Sequence, residues 1–342
     1  MAIKSLDSAK KNKNDEFYTR FDDISEEILG HKDYQEHFKG KVIYCNCDDP
    51  AESAFADFFK LNFEYLGLKK LICTRYAHSK LLWDLYGKDP VKREGYKLEI
   101  TGRNNCKKTN INGNGDFRSK ESLELLKGAD IVCTNPPFSL FREYVTQLIE
   151  QKKKFLIIGP VNAITYKEFF PFIADNKVWG GYGHPKKFIM PDGGIKSLGN
   201  VQWWTNLLIN KRTERIELVD KYTPDRYPKF DNYDAINIDN VKHIPCDYFE
   251  TMGVPISFLD KYNPEQFEIV GITKTPIGSH LRTKIYNKQE QISKDGKHSY
   301  VTKLNDGPAL CVEEPPKNKT YYRIKDKLYI SPYARLLIRR KK

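Results

Sequence analysis

The chain contains no C-x-x-C pair. Its seven cysteines are scattered over 342 residues, and the closest two, Cys45 and Cys47, stand one residue apart. The seven histidines supply no paired metal ligands either, so a zinc site is not indicated. Reduced thiols in a cytosolic protein are the better account of an odd cysteine count. No apolar stretch approaches the length needed to cross a bilayer, and the opening "MAIKSLDSAKKNKNDEF" lacks the apolar core of a secretory signal. No internal repeat is visible. Together these absences point to an intracellular, soluble, cytoplasmic protein with no membrane segment and no metal.

What is present in excess is positive charge: 57 Lys and Arg against 45 Asp and Glu, a formal +12. Such an excess favours a polyanionic partner, most often nucleic acid, although many basic proteins are merely soluble. With 39% apolar and 30% charged residues, a sizeable core is available and wholesale disorder is excluded. The length suits one large domain or two ordinary ones. Lys4, Lys10, Lys11 and Lys13 read as a solvated tail in preference to a basic arm lying along phosphates.

A helix is expected from about Asp22 to Phe38, and from Lys41 the pattern alternates. "KVIYCN", "KKLICT", "ADIVCTN" and "KKFLIIGP" have the short apolar runs of buried strands. "AESAFADFFKLNFEYLG", "HSKLLWDLYG", "SKESLELLKG" and "FSLFREYVTQLIEQ" have helical spacing. "YKLEITG" is an additional strand or hairpin arm. Alternating strands and helices predict an α/β fold with a mostly parallel sheet, whose ligands sit beyond the carboxyl ends of the strands. "KVWGGYG", "KKFIMPDG" and "VQWWTNLLI" read as antiparallel strands at one edge of that sheet. After about Thr213 the rhythm is lost in Tyr, Asp and Pro. The tail then carries Lys274, Arg282, Lys284, Lys288, Lys294, Lys297, Lys303 and "LLIRRKK". A domain boundary is therefore expected near residue 215, separating 1–215 from 216–342.

The stretch "DIVCTNPPFSLF" ends a predicted strand on Asn135, Pro136, Pro137 and Phe138. A rigid turn is the plain reading. The chemical reading is more specific. The Asn135 side-chain carbonyl and the Pro136 main-chain carbonyl, its direction fixed by the Pro137 ring, converge as two acceptors on one NH₂ group. Accepting both protons frees a lone pair otherwise delocalised into an aromatic base, and Phe138 can stack on the base's flat face. A base enters such a pocket only after leaving the duplex.

"NPPF" looks like the catalytic motif of amino-methyltransferases acting on adenine N6. The blocks "KKNKNDEFYT", "CNCDDPAESAF", "ADIVCTNPPF" and "MGVPISFLDKYNPEQFEIVG" in this order resemble the EcoRI-type adenine-specific DNA modification methylases, from about Lys10 to Gly271. The resemblance implies a Rossmann-like S-adenosylmethionine-dependent methyltransferase fold with a C-terminal target-recognition region. It assigns Tyr18 and Thr19 of the aromatic block to the methionine end of the cofactor; a helix start capped by Asp15 is the plainer alternative. In the loop after the first strand it assigns Asn46, Asp48, Asp49, Pro50 and Ser53, where a glycine-rich pattern is missing. Asp48, Asp49, Pro50 and Ser53 would receive the cofactor's amino group and carboxylate near a helix N-terminus; a helix cap made from Asp49 and Ser53 is compatible with that role. Asp116 and Phe117 resemble the block that binds the cofactor's adenine. The second strand ends in Thr74, Arg75 and Tyr76, where many relatives place an acidic residue for the ribose, so that contact is unassigned.

Pro245-Cys246 resembles the nucleophile of cytosine-C5 enzymes but stands after the catalytic blocks without partner motifs, and amine methylation needs no thiolate. Trp203-Trp204 lies in an apolar strand, where packing is favoured over base stacking. The expectation is thus a site-specific adenine-N6 methyltransferase acting on double-stranded DNA, bacterial or phage-encoded, compatible with a cognate restriction endonuclease acting separately on the same site. Arg282 and Lys284 stand among its expected DNA contacts. The alternatives are an RNA adenine or protein glutamine N-methyltransferase, and an inactive DNA-binding relative.

Overall fold

The computed structural model describes residues 18–76, 95–112, 114–190 and 194–342. The lysine-rich N-terminus, Asp15 and the segment "HSKLLWDLYG" lie outside them. The described chain forms two compact units, one built from residues up to 164 with 177–210, the other from 165–176 with 211–342.

In the first unit the elements are β1 (Tyr18–Thr19), α1 (Phe21–Leu29), α2 (Tyr34–Phe38), β2 (Val42–Cys45), α3 (Ala54–Leu61), β3 (Lys70–Arg75), β4 (Tyr96–Gly102), β5 (Asn105–Asn110), α4 (Lys120–Gly128), β6 (Ile131–Thr134), α5 (Phe141–Glu150), β7 (Lys154–Pro160), β8 (Trp179–Gly180), β9 (Lys187–Ile189), β10 (Ile195–Ser197) and β11 (Val201–Thr205). Eight strands form one sheet in the order β5-β4-β3-β2-β6-β7-β11-β8. Its centre, β3-β2-β6-β7, is parallel, and both flanks are antiparallel. The four central strands are apolar runs because they are covered on both faces. Ile43, Leu71, Ile131, Leu156 and Ile158 pack with Ile24 and Ile28 of α1 and Phe55 and Phe59 of α3 in one buried cluster.

Local structure departs from the sequence pattern where tertiary pairing wins. The helix expected over Asp22–Phe38 is two, α1 and α2. Gly30 ends the first, and a Cβ there would stand 2.1 Å from the Tyr182 ring. Next, His31 bridges Ile209, the Lys32 N–H donates to the Leu208 carbonyl at 3.1 Å, and Asp33 turns the chain at φ +51°. The helix expected through Gly67 stops at Leu61, and turns continue to Gly67 at φ +61°.

Of the three strands expected at the sheet edge, β8 and β11 are there. β9 is not: it pairs with β10 and β1 in a separate three-stranded sheet. A buried carboxylate accounts for its path. Glu27 on α1 accepts from the Tyr182 and Gly183 N–H groups at 2.7 and 2.6 Å and meets His31 Nε2 at 3.0 Å. This turns the chain away just before β9. Trp203 and Trp204 are fully buried in β11, as packing residues.

The second unit holds α6 (Phe170–Ala174), β12 (Ile236–Asn237), β13 (Met252–Pro255), β14 (Phe267–Ile272), β15 (Gln289–Ile292), β16 (His298–Val301), β17 (Leu310–Val312), β18 (Tyr321–Ile324), β19 (Lys327–Ile330) and β20 (Arg335–Arg340). They form a four-stranded sheet, β12-β13-β20-β14, and a five-stranded sheet, β16-β15-β18-β19-β17. Tyr286, Leu304, Ala309, Tyr322 and Tyr329 form one small core of this unit. All seven cysteines are free thiols: Cys45, Cys73 and Cys133 are buried on the three adjacent central strands, whereas Cys106 and Cys311 are exposed.

Candidate active site

Strand order locates the crevice. From β2 the chain moves to β3 on one side, while β6 lies on the other, so the carboxyl ends of β2 and β6 flank a topological switch point. The loop 46–53 leaves β2 at that point, and Asn135–Phe138 leaves β6 beside it.

Asp48 joins the two loops. It is buried, and its carboxylate accepts from the Ser53 hydroxyl at 2.7 Å, from the Thr134 hydroxyl, and from the Asn135 N–H at 3.4 Å. The Cys47 N–H adds a bond to Thr134 Oγ1 at 3.1 Å. Burial pushes the Asp48 carboxyl up to about 6, against the pull of these three donors. A folded-state pKa above the ordinary 3.8 means that the native state takes up the proton first. The stability contributed by this group is therefore complete below the unfolded value and is lost as pH rises through about 6. Ionised Asp48 is a cost carried at the centre of the site.

Ser53 also caps α3, accepting from the Phe55 and Ala56 N–H groups at 3.1 and 3.4 Å. Asp49 turns towards β3. Its oxygens accept from Arg75 Nε at 3.0 Å, the Tyr96 hydroxyl at 3.0 Å and the Ala51 N–H at 3.0 Å. Arg75, at the strand end that lacks an acidic residue, thus draws in a carboxylate from the neighbouring loop. The Pro50 carbonyl accepts from Lys60 Nζ on α3. Asn46 is buried, and its side-chain oxygen accepts from the Tyr144 hydroxyl of α5.

The segment 114–118 closes over the same end of the sheet. Gly115, at φ +75°, rides so close to β3 that a Cβ would lie 2.3 Å from the Arg75 carbonyl oxygen. Asp116 follows, held at both oxygens by Arg118 Nε at 2.8 Å and Nη2 at 2.7 Å, and that guanidinium holds its carboxyl below the ordinary range. Phe117 is buried edge-on against Tyr144, 5.0 Å between centroids, and its carbonyl accepts from Gln147 at 3.2 Å.

β1 approaches from the other flank. The Tyr18 hydroxyl donates to Glu52 at 3.3 Å, and Thr19 pairs with Phe188 of β9. The Thr19 hydroxyl is buried without a hydrogen-bond partner among the described residues, the kind of orphan that a bound group satisfies. Phe138 is buried at the start of a 3₁₀ turn, Phe138–Leu140, in which the Leu140 N–H donates to the Pro137 carbonyl at 3.0 Å. Phe141 then opens α5, whose buried side chains are Phe141, Tyr144, Val145 and Leu148.

Hydrogen bonds thus tie Asp48 to Ser53 and Asn135, and Tyr18 to Glu52 of the same loop, while Tyr144 joins Asn46 to Phe117; Asp49 pairs with Arg75, Pro50 with Lys60 and Asp116 with Arg118. Arg282 and Lys284 belong to the second unit. Arg282 Nη2 donates to Thr275 Oγ1 at 2.6 Å, the Tyr233 hydroxyl at 3.4 Å and the Asn305 carbonyl. Lys284 pairs with Asp231 at 2.6 Å and is half exposed. Sequence reasoning missed Thr134, Tyr144, Arg75 and Tyr96 as members of the site. Tyr144 carried a signal, being the polar-tipped ring on the otherwise apolar face of α5. Thr134 carried only its adjacency to Asn135.

The sequence also matches known proteins. A family model described as "Adenine-specific methyltransferase EcoRI" matches residues 5–341, so the match continues through the tail beyond Gly271. The chain is similar to the Type II methyltransferase M.EcoRI of Escherichia coli, with 45% identity over 298 residues, 79% of this chain and 90% of that one. It is 38% identical over 303 residues to the Type II methyltransferase M.MpnI of Mycoplasma pneumoniae, covering 81% and 89% of the two chains. It is 37% identical over 324 residues to M.MgeORF184P of Mycoplasma genitalium, covering 86% and 95%. No solved structure gives a significant match.

Proposed function

Because the chain belongs to the adenine-specific methyltransferase EcoRI family, we propose that it transfers a methyl group from S-adenosylmethionine to N6 of an adenine swung out of duplex DNA. The observation that carries this reading is the convergence of the loop 46–53, the segment 114–118 and Asn135–Phe138 on one switch point. Cofactor and base are then neighbours in a Rossmann-like fold.

The donor set suits the cofactor. Asp49 and Asp116 supply carboxylates, Phe117 an apolar wall, and the Thr19 hydroxyl lacks a partner among the described residues. Tyr18, Thr19 and the loop 46–53 would hold the methionine end and Asp116 with Phe117 the adenine end. When bound, the cofactor supplies a methyl group on a sulfonium, activated for in-line displacement. Asn135 and the Pro136 carbonyl would accept hydrogen bonds from the two N–H groups of the exocyclic amine and direct its lone pair, and Phe138 would stack on the base; as an N–C bond replaces the S–C bond, the methylated nitrogen sheds one proton to solvent. Positioning is the main catalytic contribution.

Target recognition falls to the region after about residue 215, which carries Lys274 to Lys303 and the terminal basic run. Lys284 is the better phosphate contact of the two, since it is half exposed with one carboxylate partner, Asp231, whereas Arg282 donates to three groups of its own unit. Affinity for duplex should fall steeply with salt, and Lys284→Ala should make that dependence shallower by about one phosphate contact. Titrations of cognate and random duplex at two salt concentrations read it. An unchanged slope removes Lys284 from the interface.

Incubating the full chain with labelled cofactor and separate DNA, RNA and protein pools tests the reaction. Label in RNA or protein rather than DNA would overturn it. Asp49→Ala and Asp116→Ala should each weaken S-adenosylhomocysteine binding by about tenfold, roughly one lost hydrogen bond to a charged group. Calorimetric titration of the folded variants measures this, and parental affinity in both would remove these loops from the cofactor site.

A further inference from the structure

Asp48 stands in the middle of the proposed cofactor loop, yet its carboxylate is buried and bonded to Thr134 and Asn135 at the end of β6. Three donors of the chain fill its two oxygens: the Ser53 hydroxyl at 2.7 Å on one, and the Thr134 hydroxyl and the Asn135 N–H at 3.4 Å on the other. We propose that Asp48 is a positioning residue for methyl transfer, tying the loop after β2 to the first residue of the Asn135–Phe138 turn without touching the cofactor. This rests on the cofactor reading above and changes the part that Asp48 plays in it.

Only a carboxylate that accepts in every direction completes the joint. Ser53 Oγ already accepts from Phe55 N–H and Ala56 N–H, and Thr134 Oγ1 already accepts from Cys47 N–H. Both hydroxyls must therefore donate to Asp48. An amide at this position would turn an NH₂ donor on at least one of these donors. A protonated carboxyl would do the same with its O–H, so the Asn variant and the acid form of the parent break the joint alike.

The surroundings make the readout clean. Among the described residues, the titratable groups that interact with Asp48 are the thiols of Cys45 on β2, Cys47 in the loop and Cys133 on β6, and the phenol of Tyr144 on α5. Burial drives all four upward, so none of them changes charge between pH 5 and 7. Two further ties of this loop, from the Cys47 N–H to Thr134 Oγ1 and from the Tyr144 hydroxyl of α5 to Asn46, involve no group that titrates in this range.

The test compares the full-length parent, Asp48→Asn and Thr134→Val, which cuts the tether from the other side. S-adenosylhomocysteine affinity is measured by calorimetry, and single-turnover methylation of cognate duplex from pH 5 to 8. Both variants should bind the cofactor product within about twofold of the parent and methylate about 10- to 100-fold more slowly at pH 8, the penalty for misplacing a reacting group by about an ångström. The parent's rate should fall on acidification towards that of Asp48→Asn, which should lack this acid limb. A tenfold loss of cofactor affinity in Asp48→Asn would make Asp48 a ligand and overturn the inference, as would a parental rate in Thr134→Val or an acid limb unchanged in Asp48→Asn. If Asp48→Asn does not fold, Thr134→Val alone decides by the same two numbers. A parent that binds no S-adenosylhomocysteine would instead bring down the cofactor reading itself, and this inference with it.

Discussion

Asn135→Ala should lower the methylation rate by about 100- to 1,000-fold, the usual cost of deleting one preorganised polar group at a reacting centre. Cofactor affinity should stay near the parent's. The variant separates the two halves of the site because the tether to the cofactor loop uses the Asn135 main-chain N–H, which alanine retains. The side-chain acceptor is lost, and with it one of two groups that draw the lone pair out of the adenine ring. Single-turnover transfer and cofactor titration on the same preparation test this. A rate within fivefold of the parent would leave Asn135–Phe138 as a turn and nothing more.

The second large effect is expected in β7, the strand beside β6, rather than in the site loops. On Gly159→Ala, the new methyl group would stand 2.2 Å from Cε2 of Phe141 and 2.8 Å from Cδ1 of Trp204. Both rings are fully buried, so neither can swing into solvent. The sheet resists as well, because Gly159 is paired with Gln202 in the β7–β11 ladder. Overpacking of this kind costs about 1–3 kcal/mol, to be read as a lower denaturant midpoint with an unchanged slope. Phe141 follows Phe138 by three residues and is the first residue of α5, so relief of the clash should move the catalytic turn too. Methylation should fall further than the stability loss explains. Gly102→Ala on β4 is the control, since its Cβ would meet nothing within 4 Å. Equal effects from the two substitutions would show that the Phe141 contact does not govern the site.

The parallel centre of the sheet was legible because β2, β3, β6 and β7 are short apolar runs bounded by polar turns, and burial on both faces leaves no other pattern. The loop 46–53 and the turn Asn135–Phe138 could be placed for a related reason: each begins where β2 or β6 ends. The small sheet of β1, β9 and β10 was not, because its pairing joins residues far apart in sequence and depends on Glu27 seizing two main-chain N–H groups of the loop before β9. Periodicity carries no trace of such a bond. The same limit applies within the site. The sequence places Asp48 next to Asp49 as two equivalent acids, and only folding separates them, one buried between two loops and one clamped by Arg75. Arg282 shows the converse: a charge counted in the sequence can already be engaged by its own unit, here by Thr275, Tyr233 and Asn305.

The distribution of thiols has a practical corollary. Cys106 on β5 and Cys311 on β17 are exposed, one in each unit, while Cys45, Cys73 and Cys133 are sealed within the central strands, and Cys47 and Cys246 are partly covered. Burial also drives the sealed Cys45 and Cys133, and the Cys47 thiol, away from the reactive thiolate. The native chain therefore offers a chemist one accessible attachment point on each unit without any engineering. A donor dye on one and an acceptor on the other would turn the molecule into its own spectroscopic ruler, able to report whether the two units change their separation when duplex is added.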